Sequence, residues 1–210
     1  KWGIDFNFID GKRVTDKKAV KIVEMVLSGD LNKNIVSSIN NQGGSGVGIS
    51  GKDASLVICE KDNPELGYVG KPILINTKLI TTLVENDFIP VISPIGTNEE
   101  GETFNINADT MAGTIASALK ADRLLLLTDV SGVKDKSDNK IEKASTEEIK
   151  KLIKENVIKD GMIPKVNTAI DSIEKGVRAV VILDGSIQNA CLLELFTDHG
   201  VGTLIRKELN

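Results

Sequence analysis

The chain has 210 residues, of which 27% are charged and 3% aromatic, with a formal net charge of −4. That length suffices for one α/β domain, or for two lobes sharing a sheet. Its mild acidity gives no electrostatic reason to expect nucleic acid or an anionic membrane as partner, scarce aromatics argue against stacking on bases, and no apolar run approaches a membrane span.

Position 1 is Lys, and KWGIDFNFIDG reads as an interrupted segment, so the expectation is a chain that begins partway through a longer protein. Asp10-Gly11 marks a turn, and Lys12-Arg13 precede a helix start at Thr15-Asp16, either of which can cap it. Val20, Val23 and Leu27 give that helix its apolar face, and Gly29 is expected to close it. A second helix is expected over 31–41 with Ile35, Val36 and Ile39 inward. The glycine-rich stretch GGSGVGISGKD reads as turn chemistry, followed by strands over 55–60 and 68–75, a helix over 77–86 and a strand over 88–93.

The chain is organised around 104–132, FNINADTMAGTIASALKADRLLLLTDVSG. Asn105 and Asn107 lead into a helix with Asp109 in its first turn. Ala108, Met111, Ala112, Ile115, Ala116 and Leu119 share one of its faces. Four consecutive leucines within 123–128 predict a parallel, central strand buried on both faces, ending in the polar turn Thr128-Asp129-Val130-Ser131-Gly132. KDKSDNK is a solvated loop. Ser145 with Glu148 forms a capping box ahead of Ile149, Leu152 and Ile153. Pro164 is expected as the first residue of the next helix, whose inner face is Val166, Ala169, Ile170 and Ile173 and which Gly176 ends. A buried strand over 178–183, a short helix over 188–196 and a last strand over 202–205 complete an alternation that implies a mostly parallel sheet covered on both sides. No internal repeat appears.

Candidate chemistry lies at few places. The segment from Gly46 to Lys52 satisfies GxxxxGK and contains GxGxxG, but Asp53 follows where a P-loop needs Ser or Thr, and SLVIC then reads as a strand rather than a helix. Both phosphate-binding readings fail on that context. Asn105, Asn107 and Asp109 place two carboxamides and a carboxylate at a helix N-terminus, of which capping explains one. The polar turn 129–132 follows a buried strand, where open α/β sheets place their ligands. Lys165 stands near a helix start, against the helix dipole, a penalty that a bound phosphate reverses. Arg13 can offer a carboxylate two parallel hydrogen bonds. His199, the only histidine, reads as a surface turn residue, and no catalytic triad or metal-ligand cluster assembles around it. Cys59 and Cys191 sit in apolar stretches and read as small core residues of a protein in a reducing, cytoplasmic compartment.

Taken together, FIDGKRVTD, EMVLSGDLNKNIVSSIN, VGISGKDASL, LGYVGKP, FIPVISPIG, FNINADTMAGTIASAL, LLLLTDVSGV, DGMIPKVNTAIDSIEKGV and CLLELFTDHGVGTLI resemble, in order and spacing, the acetylglutamate kinase family of the amino-acid kinase superfamily. The resemblance implies a three-layer αβα sandwich on a mostly parallel open sheet, with an acetylglutamate half over 1–119 and a nucleotide half over 120–210. It implies transfer of the ATP γ-phosphoryl, with Mg²⁺, to the γ-carboxylate of N-acetyl-L-glutamate, a step of arginine synthesis. Arg13 would bind the α-carboxylate, Asn105 and Asn107 the acetylamino acid, and Asp109 would organise the catalytic lysines. Asp129, Val130, Ser131, Gly132, Val133 and Lys134, with Val157, Ile158 and Lys159, would line the nucleotide, and Lys165 would meet the transferring phosphoryl. Homodimers or hexamers are implied. Lys12 stands where Leu is usual and Asn189 where His is common near a segment tied to arginine feedback. The family's first strand, its glycine-rich loop and its phosphate-binding lysine have no counterpart. The expectation is therefore that residues 1–210 alone bind ADP without acetylglutamate-dependent turnover. The rival readings are another kinase of the superfamily, acting on glutamate, aspartate, carbamate or UMP, a non-catalytic nucleotide-binding module, and a Rossmann dehydrogenase.

Overall fold

The computed structural model describes residues 14–197 and 200–208, together with the backbone of 8, 9, 12 and 13. Its chain divides into two compact units, Lys1–Met111 and Ala112–Asn210.

In the first unit, β1 (Phe8–Ile9) and β2 (Lys12–Arg13) pair antiparallel. Helix α1 (Lys17–Glu24) starts where Asp16 accepts the backbone N–H groups of Lys18 and Ala19 at 2.8 and 2.7 Å. Gly29 does not close it. The chain continues through a π-helical segment, Met25–Leu31, straight into α2 (Asn32–Asn41). A glycine ends a helix by turning left-handed, and Gly29 is not among the residues with positive φ. Tertiary contact decides instead: Asn32 is buried and donates its carboxamide N–H groups to the carbonyls of Ile49 and Val91, fixing the helix to two strands. Ile35, expected inward, is 52% exposed.

Those strands are β3 (Gly46–Ser50) and β6 (Ile89–Ser93), paired parallel. Two of the glycines read as turn residues, Gly46 and Gly48, are thus strand residues, while Gly43 and Gly51 do lie in turns. A Cβ on Gly48 would stand 1.9 Å from Asn32 Oδ1, so glycine is what allows α2 this close to the sheet. Between them lie β4 (Val57–Lys61), β5 (Gly70–Ile75) and α3 (Lys78–Glu85), and after them β7 (Ile95–Thr97) and β8 (Thr103–Asn105). A second sheet has the order β5-β4-β7-β8, parallel only between β4 and β7. Leu56, Val57, Ile95 and Phe104 are fully buried in this unit, each contributing about 1.5–3 kcal/mol by leaving water.

Helix α4 (Ala108–Ala118) carries the chain into the second unit. There follow β9 (Leu124–Thr128), β10 (Lys143–Ser145), α5 (Thr146–Lys154), α6 (Met162–Glu174), β11 (Val180–Asp184), α7 (Ala190–Phe196) and β12 (Thr203–Arg206). Their sheet order is β10-β12-β11-β9, with β9 parallel to β11 and β10 parallel to β12. The leucine strand β9 was expected at the centre and buried on both faces. Among the described residues it pairs on one side only, and Leu127 is 49% exposed. The most buried strand of this sheet is β11, where Val180, Val181, Ile182 and Leu183 are all inaccessible and only the terminal Asp184 is half-buried. Pro164 is the third residue of α6 rather than its first, and the helix buries Val166, Ala169, Ile170 and Ile173 as its spacing requires.

Candidate active site

Within the first unit the start of α4 assembles the acceptor candidates. Asn107 caps the helix: its Oδ1 accepts the N–H of Thr110 at 3.0 Å and the Thr110 hydroxyl at 3.3 Å. Asn105 precedes it at the end of β8, its N–H bonded to the Tyr68 carbonyl and its carboxamide donating to the Thr15 hydroxyl at 3.4 Å. Thr15 is itself buried and held on both sides of its backbone, donating to Leu66 O and accepting from Tyr68 N. This ties the segment after β2 to the turn before β5 and to Asn105. Asp109 is half-buried in the first turn of α4.

A cavity of about 250 Å³ opens beside Asn107, lined also by Asp62, Val69, Gly70, Lys71 and Thr110. The lining is polar and carries both signs of charge, Lys71 and Asp62, and suits a polar small molecule. Asp62, Lys71 and Thr110 escape a motif-based reading because they come from a bend after β4, from β5 and from α4, and only the fold brings them to one cavity. Lys71 is exposed and pairs with Glu60 at 3.0 Å. Arg13 takes the position opposite Phe8 in β2, and its side chain lies outside the described residues, as does His199.

In the second unit, the C-terminal end of β9 opens into the polar turn. Asp129 and Val130 are exposed and Ser131 half-buried. Gly132 is buried with φ +132°, and a Cβ there would meet Thr203 Oγ1 at 2.6 Å. Val133 and Ile158 belong to the hydrophobic core, and their backbone N–H groups are already bonded, to Thr203 Oγ1 and to the Leu152 carbonyl, so both shape the segments they stand in rather than offer a side chain. Val157 is half-buried, Lys159 is exposed, and the exposed Lys134 pairs with Asp138 at 2.9 Å. Asp184 stands opposite Thr128 in the sheet register. Its carboxyl is held below the usual range by the hydroxyl and backbone N–H of Ser186, so it stays ionised there. Lys165 is half-buried on α6, whose N-cap, Gly161, offers no side chain; the first-turn N–H groups of Met162 and Ile163 are bonded to the carbonyls of Lys159 and Asp160 at 3.2 and 3.1 Å, and Pro164 has none. Asp109 and Lys165 fall in different units.

Cavities also occur among the described residues of this unit. One, of about 420 Å³, lies between the loop after Lys134, β10 and α5. Another, of about 430 Å³, surrounds Arg123, Glu142, Lys143 and Glu194. Among the described residues no group of three or more His, Cys, Asp or Glu could hold a metal ion. A Mg²⁺ that arrives on nucleotide phosphates needs no such cage, since it keeps its waters and takes one or two carboxylates at most. The exposed Asp129 fits that modest demand.

A parallel-rich α/β scaffold whose strand ends open into polar turns belongs to the class of folds that bind small molecules at those ends. Residues 1–184 match the model of the amino acid kinase family. The chain belongs to the amino acid kinase family. It is 56% identical over 208 residues to the acetylglutamate kinase of Ruegeria pomeroyi, covering 99% of this chain and 72% of that one. It is 55% identical over 207 residues to that of Dinoroseobacter shibae, covering 99% and 72%. Among solved structures it is similar to smu.665 from Streptococcus mutans UA159, with a TM-score of 0.83 at 31% identity, covering 98% of this chain and 78% of that one. The fold is the α/β fold of that family, and the chain is a kinase.

Proposed function

We propose that this kinase transfers the γ-phosphoryl group of ATP to the γ-carboxylate of N-acetyl-L-glutamate, giving N-acetylglutamyl 5-phosphate in arginine biosynthesis. The observation that carries this is the likeness to acetylglutamate kinases along nearly all of the chain. The acceptor belongs to the first unit, with Arg13 on its α-carboxylate and Asn105 and Asn107 on the acetylamino group. The nucleotide belongs to the second, against 129–134 and 157–159. Lys165 brings positive charge to the transferring phosphoryl, and Asp109 is assigned the ordering of the catalytic lysines.

The chemistry needs no general base. A glutamate side chain is already ionised at neutral pH, its free pKa being about 4.3. Rate acceleration then rests on alignment and on positive charge around a phosphoryl in transit. Mg²⁺ bound to ATP supplies part of that charge. A cytoplasmic enzyme assembled as a homodimer or hexamer accords with this reading, with neither nucleic acid nor membrane as partner. No described helix is long and apolar enough to cross a membrane.

The product is an acyl phosphate, which hydroxylamine converts to a hydroxamate. The protein expressed from its complete reading frame should form hydroxamate only when both ATP and N-acetylglutamate are present. ADP release without hydroxamate would mean that the phosphoryl goes elsewhere.

A further inference from the structure

We propose that Thr203, on β12, is a positioning residue for the nucleotide turn, and that its hydroxyl sets the backbone of 131–134 in the shape that receives ATP. This rests on the assignment of Asp129–Lys134 to the nucleotide. Thr203 is fully buried, and its hydroxyl spends both of its bonds on another element. It accepts the N–H of Val133 at 2.9 Å and donates to the carbonyl of Ile141 at 2.6 Å. Ile141 N in turn donates to Val133 O at 2.8 Å. One side chain therefore holds both ends of the 133–141 loop, within the longer connection from β9 to β10.

The consequence for the turn is specific. Binding Val133 N–H fixes the plane of the peptide between Gly132 and Val133, and with it the direction of the Gly132 carbonyl. Gly132 is pressed against the same hydroxyl, at a φ that side-chain-bearing residues rarely adopt. A second tie, from Lys140 Nζ to Val201 O at 3.0 Å, anchors the far arm of the loop to the residues just before β12. Phosphoryl transfer depends on position more than on bond-making by the protein, so a turn held in one shape serves it directly.

A threonine that merely filled space here would be better replaced by valine, which has the same shape and no hydroxyl to desolvate. The hydroxyl is instead fully used, and on a loop rather than on its own strand.

The test compares wild type with Thr203→Ser, Thr203→Ala and Thr203→Val, measuring ADP affinity, KM for N-acetylglutamate and amide exchange over 129–141. Serine and alanine differ only by the hydroxyl, so that pair keeps the test sharp even if the valine variant folds poorly. Losing one buried hydrogen bond should weaken ADP binding about tenfold in the alanine and valine variants. It should speed exchange over 129–141 and leave KM for N-acetylglutamate unchanged, while serine behaves as wild type. Equal ADP affinity in serine and alanine variants would overturn the proposal and leave the nucleotide assignment standing. Failure of wild type itself to bind ADP would overturn the assignment, and the proposal with it.

Discussion

Arg13 and Lys165 are the two cations on which the proposed reaction turns, and they should fail in different ways. Lysine cannot reproduce the two parallel bonds a guanidinium offers a carboxylate. Arg13→Lys should therefore raise KM for N-acetylglutamate with a smaller change in KM for ATP, and steady-state kinetics with each substrate varied in turn would show it. Unchanged KM for the amino acid would remove Arg13 from the site. Lys165→Ala should act on kcat, because its charge matters most when the phosphoryl is in transit. Loss of one such contact typically costs about 10²–10³ in rate. A kcat within a factor of a few of wild type would make Lys165 an ordinary helix residue. Cys59 offers a contrast: burial pushes its thiol up to about 12, so it should resist iodoacetamide at pH 8 in the native protein and react once the protein is unfolded. At this scale the sequence is readable where one residue does a local job. Asn107 announces its cap and Cys59 its burial. Thr203 does not announce its bond to Val133, because its partner lies 70 positions away and only the sheet brings them together.

Among the elements, α5 follows most directly from its own residues. Ser145 accepts the Glu148 N–H, and Glu148 reaches back to the Ser145 N–H at 2.7 Å, completing the capping box expected from the spacing. The Ser145 backbone and then its hydroxyl hold the Glu148 carboxyl below its ordinary range. A depressed carboxyl stabilises the fold above its unfolded pKa, and this contribution is lost as pH falls through the folded value. Glu148→Gln should thus lower thermal stability at pH 7 and converge on wild type in acid. Equal melting temperatures at pH 7 would remove the carboxylate from the account. Ser145→Ala should cost about 1 kcal/mol at neutral pH, as a lost N-cap does. Other elements were less legible. The π-helical run through Gly29 depends on Asn32 gripping β3 and β6, contacts remote in sequence. Strand β3 was hidden by glycines whose purpose is to admit α2. Strands β7 and β10 span three residues each, too few for a period of two to declare itself.

Each unit of the molecule has its own core and its own strand pairings, and the proposed function gives each a substrate. The alternation of helices and strands made the α/β class readable from sequence alone. The order of strands was not, since β9 and β11 are equally apolar and only pairing separates an edge from a centre. Along the whole chain the central claim is the choice of acceptor, and the superfamily offers glutamate, aspartate, carbamate and UMP as competitors. The most direct measurement is ADP release by the protein expressed from its complete reading frame, with ATP and Mg²⁺ present and each acceptor supplied in turn. The account predicts release with N-acetylglutamate and little with the others, because the acetylamino group is what Asn105 and Asn107 are assigned to hold. Release driven equally well by glutamate, or better by any of the other acceptors, would contradict it.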